Sequence, residues 1–552
     1  MASDFRRSRG VIITPEGLVL FGLWLAATAY NLFKPYHIDD AAHLEIVQWI
    51  SHHWLHPMRG SLNWSGVEEP IFRTNQPHLY FYALAAWGSL FGFSEPAMHA
   101  LQSLFTLACI LLTYRLARHL LGRNALFATA MATLSPALFV EQNLMVDVPL
   151  LSLWLGFFTP LICDVDSPHQ GRRYALAALA CAAAILVKYS SLTLVPILVL
   201  SLLLERRGRQ AWTLAIPALA VAAWTAFNLW DYGAAHILTR PAAGGSHDWL
   251  QPAAFAGAWI VGLGALTPLG LIWMVQNIAR GRAGPAYAAL FAGFIALVGV
   301  AAMGLLADAV VTRVLVLLFA WNAAVMLVAI GAFALTTLRQ PWWRLSVAMD
   351  AAPSLYLLFW IGGTSLFYVL FAPFIAARHV LLIIAPVTIV VLQGIGGGPS
   401  RSSKLFGLGL TILVSLGAGV SDWRFADFYK VEASRLPALV PHDGHKLWAD
   451  GHWGWQWYAA RAGVRELDIR KTPFNVGDLI ALGDEADHQP IARHLNLTPV
   501  RTDTETLPLL NLFCTGLPDT LYLNTLQEPP WTLARHCVNH MEILRVDPDD
   551  ED

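Results

Sequence analysis

The sequence predicts a polytopic α-helical membrane protein of about 13 spans that ends in a small α/β domain, and three observations carry that reading. Only 13% of the 552 residues are charged, roughly half the share of an ordinary soluble domain, while 56% are hydrophobic and the mean hydropathy is +0.51. The apolar residues gather in runs close to the length of about 20 that crosses a bilayer as a helix. The Lys and Arg residues between these runs collect on alternate connections.

The runs lie at 16–33, 97–117, 124–140, 148–163, 174–187, 190–204, 211–230, 253–276, 285–305, 311–335, 353–372, 380–397 and 404–420. The first follows a basic start, as in a secretory signal, but Lys34, Pro35 and Tyr36 stand where a small-residue cleavage site belongs. It reads as a retained span with its N-terminus in the cytoplasm. "RLARHLLGRN", "DSPHQGRR", "ERRGRQ", "IARGRAG", "LRQPWWR" and "GPSRSSK" then mark the cytoplasmic side. The outer side receives residues 34–96, "VEQNLMVD", a turn at Lys188, residues 231–252, a turn near Asp308, "APFIAAR" and everything after about 421. Residues 174–204 are too long for one upright helix and too short for two full spans. Two short helices meeting at "VKYSS", with Lys188 at the apex, keep the flanking arginines on one side.

Residues 1–420 thus form a membrane domain with an elaborate outer segment at 34–96. Within that segment "AAHLEIVQWISHHWLH" has the helical apolar spacing of an interfacial helix, and Pro77 opens a second short apolar run, "HLYFYALAAWGSLFGF". Both are expected to lie on the outer surface. Residues 421–552 turn soluble and read as an extracytoplasmic α/β domain, with a turn and helix at "WADGHWGWQWYAARAGV" and strands at "DLIALG" and "EILRVD". "GHWGWQWY" offers aromatic surface for stacking on sugar rings, or equally an aromatic core. The terminal "DPDDED" is expected to be disordered.

Composition also excludes. With a net charge of -2 and a pI near 6.8 there is no basic stripe for nucleic acid. The five cysteines form no C-x-x-C pair; Cys514 and Cys537 form a disulfide if the tail is exported and oxidised, or remain two buried thiols. "GGTS" and "QGIGGG" lack the strand and lysine of a phosphate loop. The acceptor-like "NWS" and "NLT" occur often by chance.

The conspicuous ionisable groups near membrane level, Asp39, Asp40, Glu141, Asp147, Lys188 and Arg378, all fall on the outer side. Charges at the mouth of a membrane bundle are functional candidates, because burying them unpaired costs several kcal/mol. Each has a plainer alternative. Asp39 or Asp40 caps a helix beginning at Ala41, Asp147 caps the helix at "VPLL", Lys188 and Arg378 snorkel, and Glu141 is an interfacial charge. His37, His43, His52, His53, His56 and His78 crowd the outer segment, as a zinc site or as part of an interfacial belt. Asp39, Asp40 and Asp147 are the ligands to expect if Mg²⁺ or Mn²⁺ binds.

With that topology, "HIDDAAH", "NQPHLYFYALAAWGSLFG", "NLMVDVPLLSLWL", "LVKYSSLTLVPILVL" and "FIAARHVLLIIAP", spread over residues 37–386, resemble the GT-C superfamily of membrane glycosyltransferases. The likeness is to the bacterial protein O-mannosyltransferase-like family, glycosyltransferase family 39, which includes the aminoarabinose transferase of lipid A. The resemblance implies transfer of a sugar from a polyprenyl-phosphate carrier to a lipid, glycan or protein acceptor at the outer face. It places the catalytic acids on Asp39 or Asp40 and on Asp147, and the donor-phosphate cations on Lys188 and Arg378. Gln76, His78, Tyr80 and Glu141 are further substrate-contact candidates. The family's Lys or His before two prolines is here Gln76, Pro77 and His78, and an aspartate pair stands where the eukaryotic mannosyltransferases have Asp-Glu. The rival is a secondary transporter or lipid flippase, which predicts ionisable groups at mid-depth and a repeat between halves. A sensor or assembly scaffold is a third reading.

Overall fold

A computed structural model describes residues 14–63, 67–73, 76–239, 250–281, 284–303, 305–341, 345–395, 398–440, 444–468, 470–483, 495–507, 521–522, 529–533 and 537–548. Helix α1 (Pro15–Thr28) starts at Thr14, whose hydroxyl accepts the Gly17 amide at 3.1 Å, with proline in the first turn. The outer segment holds α2 (Asp40–His52), an antiparallel pair β1 (Ser61–Asn63) and β2 (Glu68–Pro70), and α3 (Leu79–Phe91). The bundle continues with α4 (Glu95–Leu121), α5 (Ala125–Thr133), α6 (Pro136–Val140), α7 (Asp147–Cys163), α8 (Gln170–Val187) and α9 (Leu194–Leu204). Then come α10 (Ala215–Tyr232), α11 (His236–Thr239), α12 (Leu250–Leu266), α13 (Leu269–Ala279), α14 (Pro285–Ala302), α15 (Asp308–Leu338), α16 (Leu345–Phe371), α17 (Ala377–Gly394) and α18 (Arg401–Arg435).

The chain is an integral membrane protein, but the expected 13 spans are not reproduced. Among the described residues seven helices are long and apolar enough to cross a bilayer, or eight if the bent pair α12–α13 is one span. The difference has local causes. The run at 124–140 breaks at Pro136 into α5 and α6, and α7 and α9 are short. The run at 253–276 bends by 59° around Thr267 and Pro268. As expected, residues 174–204 form two short helices joined through a 3₁₀ turn, Tyr189–Thr193, next to Lys188. Leu219 and Leu229 on α10, Leu317 and Val328 on α15 and Leu413 on α18 stay exposed, the apolar surface a helix shows to lipid. Helix α17 is the axis of the bundle, with Val380–Leu392 buried almost throughout.

The bend between α12 and α13 frees backbone groups that a membrane cannot hydrate, and Asn322 of α15 takes them up. Its Nδ2 donates to the carbonyls of Gly264 at 2.7 Å and Thr267 at 2.8 Å, and its Oδ1 accepts the Leu271 amide at 3.0 Å. The close approach needs glycine: a Cβ on Gly264 would lie 1.8 Å from the Phe319 carbonyl oxygen. Asn322→Ala is expected to destabilise the fold by roughly 1–4 kcal/mol, read as a lower melting temperature in detergent.

Helix α18 runs through residue 420 without a break and ends under the C-terminal sheet. That sheet contains β3 (Leu447–Asp450), β4 (Arg465–Glu466), β5 (Leu479–Gly483), β6 (Asn496–Leu507) and β7 (Cys537–Asp547) in the order β4-β3-β5-β7-β6. β3 runs parallel to both β4 and β5, and helix α19 (Trp453–Arg461) makes the crossover from β3 to β4. β5, β7 and β6 are antiparallel. Phe428, Tyr429, Ala433 and Leu436 share a core with Leu447, Trp455, Ala459, Met541 and Ile543. Of the "GHWGWQWY" aromatics Trp455 and Trp457 are buried in the core, while Trp453 and Tyr458 are half-buried. The Cys514–Cys537 pairing, the N-terminal basic residues 1–13 and the acidic end at 549–552 lie outside the described residues.

The outer segment and the sheet domain interlock. Asn63 Nδ2 donates to the Leu467 carbonyl and Gln456 Nε2 to the Asn63 carbonyl, both at 3.0 Å, while the Tyr36 amide donates to the Tyr458 hydroxyl at 2.8 Å. Glu45 of α2 and Glu466 of β4 fall within this junction. Burial pushes Glu45 up to about 7 and Glu466 to about 8, the latter also raised by the charge on Glu45. A carboxyl raised in the folded state holds a proton that the unfolded chain has released. Stability from these groups is therefore full at acidic pH and lost as pH rises through their folded values. Melting temperature is expected to fall between pH about 5 and about 8, and Glu466→Gln should flatten that slope.

Candidate active site

The two aspartates that follow the first span have separate environments. Asp40, fully buried, accepts the His37 amide on Oδ2 at 2.9 Å and the Leu144 amide on Oδ1 at 2.7 Å. It binds the turn before α2 to the loop between α6 and α7. Burial pushes its carboxyl up to about 7, although both amide bonds pull the other way. Between His37 and Asp39, Ile38 is held at φ 50°, a conformation that costs a β-branched residue energy and persists only where the surroundings enforce it. Asp39, the residue so presented, caps no amide of α2; its Oδ2 lies 3.4 Å from Nη1 of Arg378.

Asp39 is one end of a string of four charges. Arg378, in the first turn of α17, also approaches Asp147 Oδ2 with Nε at 3.9 Å, and Asp147 Oδ1 accepts from Lys188 Nζ at 2.9 Å. Asp147 opens α7 and is 1% exposed; Lys188 follows the last residue of α8 in extended conformation. All four therefore sit at helix ends on the expected outer side, brought from positions up to 339 residues apart. Each cation uses only part of its donor capacity on these acids, so N–H groups remain for an anion. Glu141 lies nearby, fully buried, with neither oxygen hydrogen-bonded. Burial raises it to about 8, against the pull of Arg378, and it is neutral at pH 7.

Several residues here escaped the sequence reading. Tyr368 of α16 and Ser190 have buried hydroxyls close to one another, and Tyr368 lies in the field of Lys188, Asp147 and Arg378. Behind Asp40 a second network is fully internal. Lys34 Nζ pairs with Asp422 of α18 and donates to Asn143 Oδ1 at 2.6 Å. Tyr522, from the connection between β6 and β7, donates to Asp422 at 2.8 Å and accepts from Asn143 at 2.9 Å. Its neighbour Leu521 accepts the Ala377 amide at 3.0 Å, which fixes the start of α17 one residue before Arg378. Lys34 and Asp422 border the outer ends of apolar runs and were findable by the rule that found Asp39. Hydroxyls and amides carry no such signal.

Of the other expected contacts, the hydroxyl of Tyr80 is committed to Gln102 Oε1 at 2.7 Å, and Gln102 Nε2 in turn donates to the Met145 carbonyl at 3.3 Å. Tyr80 supports the loop before α7 from behind. Gln76 Oε1 and both ring nitrogens of His78 are buried without partners. The histidine cluster does not gather: His52 and His53 bond back to their own helix and His56 pairs with Asp231 at 2.6 Å. Among the described residues no three His, Cys, Asp or Glu side chains are disposed to hold a metal ion. The carboxylates expected to bind Mg²⁺ or Mn²⁺ are engaged by amides in Asp40 and by cations in Asp39 and Asp147, so this donor set does not fit a divalent cation.

The family model for dolichyl-phosphate-mannose-protein mannosyltransferases matches residues 75–230, which includes Gln76, His78, Glu141, Asp147 and Lys188. No curated protein sequence matches the chain. Among solved structures, ArnT from Cupriavidus metallidurans bound to undecaprenyl phosphate aligns at 11% identity and a TM-score of 0.48, covering 85% of this chain and 92% of that one. Archaeal oligosaccharyltransferase AglB from Archaeoglobus fulgidus, in complex with an inhibitory peptide and a dolichol-phosphate, aligns at 12% identity and 0.45, over 82% and 64% of the two chains. Arabinosyltransferase EmbB from Mycobacterium smegmatis aligns at 15% identity and 0.32, over 90% and 46%.

Proposed function

We propose that this chain is a glycosyltransferase that moves one sugar from a polyprenyl-phosphate carrier to an acceptor hydroxyl at the outer face of the bacterial inner membrane. The observation that carries the reading is the string Lys188–Asp147–Arg378–Asp39, in which a partly solvent-reachable carboxylate stands beside two fixed cations. Asp39, 16% exposed at its side chain, is the base. It takes the proton of the acceptor hydroxyl as that oxygen attacks the anomeric carbon. The bond from that carbon to the phosphate oxygen breaks, its electrons stay on the polyprenyl phosphate, and Lys188 and Arg378 stabilise the growing charge where water is scarce. Asp147 holds both cations in place, Asp40 holds the loop that carries Asp147, and the hydroxyls of Tyr368 and Ser190 supply further donors to the phosphate. The match to the mannosyltransferase family over 75–230 agrees with this chemistry. A transporter would need such groups at mid-depth rather than at helix ends.

In this reading residues 1–420 form the catalytic membrane domain with a cytoplasmic N-terminus, and 421–552 form an extracytoplasmic domain packed onto it. The test is to incubate the purified protein with a panel of polyprenyl-phosphate sugars and a broad acceptor extract, with and without chelator, and to follow free polyprenyl phosphate by mass spectrometry. Release from at least one donor is expected. Silence from all of them, with lipid- or ion-dependent flux in liposomes, would overturn the proposal.

A further inference from the structure

His78 is fully buried and neither ring nitrogen has a hydrogen-bond partner, and Gln76 Oε1, two residues earlier, is also buried and unpartnered. A folded protein does not leave three such atoms idle without cost, since each has lost its water. The imidazole stands against Phe81 at 5.3 Å and Trp224 of α10 at 6.2 Å between ring centroids, within the electrostatic reach of His43 and His236. His43 Nδ1 bonds the Leu144 carbonyl at 3.0 Å, so that nitrogen carries the proton and Nε2 is an acceptor. His236 Nδ1 bonds the Tyr189 hydroxyl at 2.9 Å.

This group of neutral donors and acceptors borders both ends of the proposed chemistry. On one side His43 is one helical turn from Asp39, its amide bonded to the Asp39 carbonyl at 3.0 Å. On the other, Tyr189 directly follows Lys188. The sugar joins the carrier phosphate, held at Lys188 and Arg378, to the acceptor at Asp39, and so meets the groups that border both. Burial holds His78 down at about 3 and lowers His43 as well, so both rings are uncharged at neutral pH. Uncharged imidazoles suit hydroxyl groups, which both donate and accept, better than they suit a phosphate. We infer that His78, with Gln76 and His43, hydrogen-bonds a hydroxyl of the sugar being transferred and thereby selects the donor. The inference rests on the transfer reading above.

His78→Phe keeps an aromatic ring, somewhat larger than the imidazole, and removes the hydrogen-bonding atoms, and the fold is expected to stay about as stable as the wild type. With a transferred polyprenyl-phosphate hexose, kcat/KM should fall roughly tenfold to a hundredfold, while for the monodeoxy analogue lacking the recognised hydroxyl it should change less than about twofold. His78→Asn, which retains a donor and an acceptor, should recover part of the loss and serves if the Phe variant fails to fold. A wild type active on the hexose but with His78→Phe equally active on it overturns the inference alone. So does a loss that is the same for every donor and varies with the acceptor. A wild type that releases polyprenyl phosphate from no donor overturns the transfer reading and this one together.

Discussion

Asp39→Asn lowers the rate of polyprenyl-phosphate release by roughly a hundredfold to ten-thousandfold and leaves the melting temperature close to that of the wild type. The separation follows from the environments of the two adjacent acids. Asp39 binds no backbone amide of its helix and meets only Arg378, which keeps Asp147 as a second partner when Asp39 is neutralised. The amide of Asn accepts no proton from an attacking hydroxyl, so chemistry suffers and packing does not. Asp40→Asn should show the reverse balance. Its two oxygens hold the His37 and Leu144 amides, and an Asn NH₂ would face one of those donors, so the variant melts earlier. Measuring release and melting on both variants decides which aspartate is the base; equal release from wild type and Asp39→Asn would remove Asp39 from that role.

Asp422→Ala is expected to cost about 3–5 kcal/mol of stability, the largest effect of any single change away from the catalytic string. It leaves Lys34, which is 0% exposed, with Asn143 as its remaining partner and removes the carboxylate that accepts from the Tyr522 hydroxyl. An uncompensated ammonium inside a membrane bundle has no water to turn to. The paired change Lys34→Met with Asp422→Leu should recover most of that stability, because two apolar side chains of similar volume replace a buried ion pair at little or no cost. It should not recover activity. His37 and Tyr522 would lose the carboxylate between them, and with it the network that anchors Asn143 and the loop before α7. Melting curves for the single and double variants, together with release assays, distinguish this from a pair that serves the fold alone; full activity in a stable double variant would show that the network is structural only.

What the sequence disclosed followed one physical rule. Water-seeking charges placed beside bilayer-length apolar runs stand out, so Asp39, Asp147, Lys188 and Arg378 were visible and their common side could be worked out from the flanking arginines. The two short helices around Lys188 and the strands at β5 and β7 were visible for the same kind of reason, a length or a periodicity. The span count was not, because it depends on where helices break. Pro136 and Pro268 lie within apolar runs, and only the packing of Asn322 against Gly264 and Thr267 shows how the second break is sustained. The division of labour between Asp39 and Asp40 was equally hidden. It turns on which backbone amides reach which carboxylate, and Leu144 is 104 residues away. The aromatic helix α19 was ambiguous from composition, since tryptophans stack on sugars and fill cores alike; Trp455 and Trp457 fill the core.

The bond from the Ala377 amide to the Leu521 carbonyl, and those of Tyr522 with Asn143 and Asp422, also set a timetable for the growing chain. The turn that bears Asp39 leaves the ribosome with the first helix, whereas residues 521 and 522 emerge long after it. Membrane helices that insert in order as they are made must therefore wait, with the loop before α7 and the start of α17 unpinned, until residues 521 and 522 arrive. A chain still under synthesis holds its carboxylates and cations without the contacts that align them. The charged string reaches its final arrangement only once that segment has been delivered.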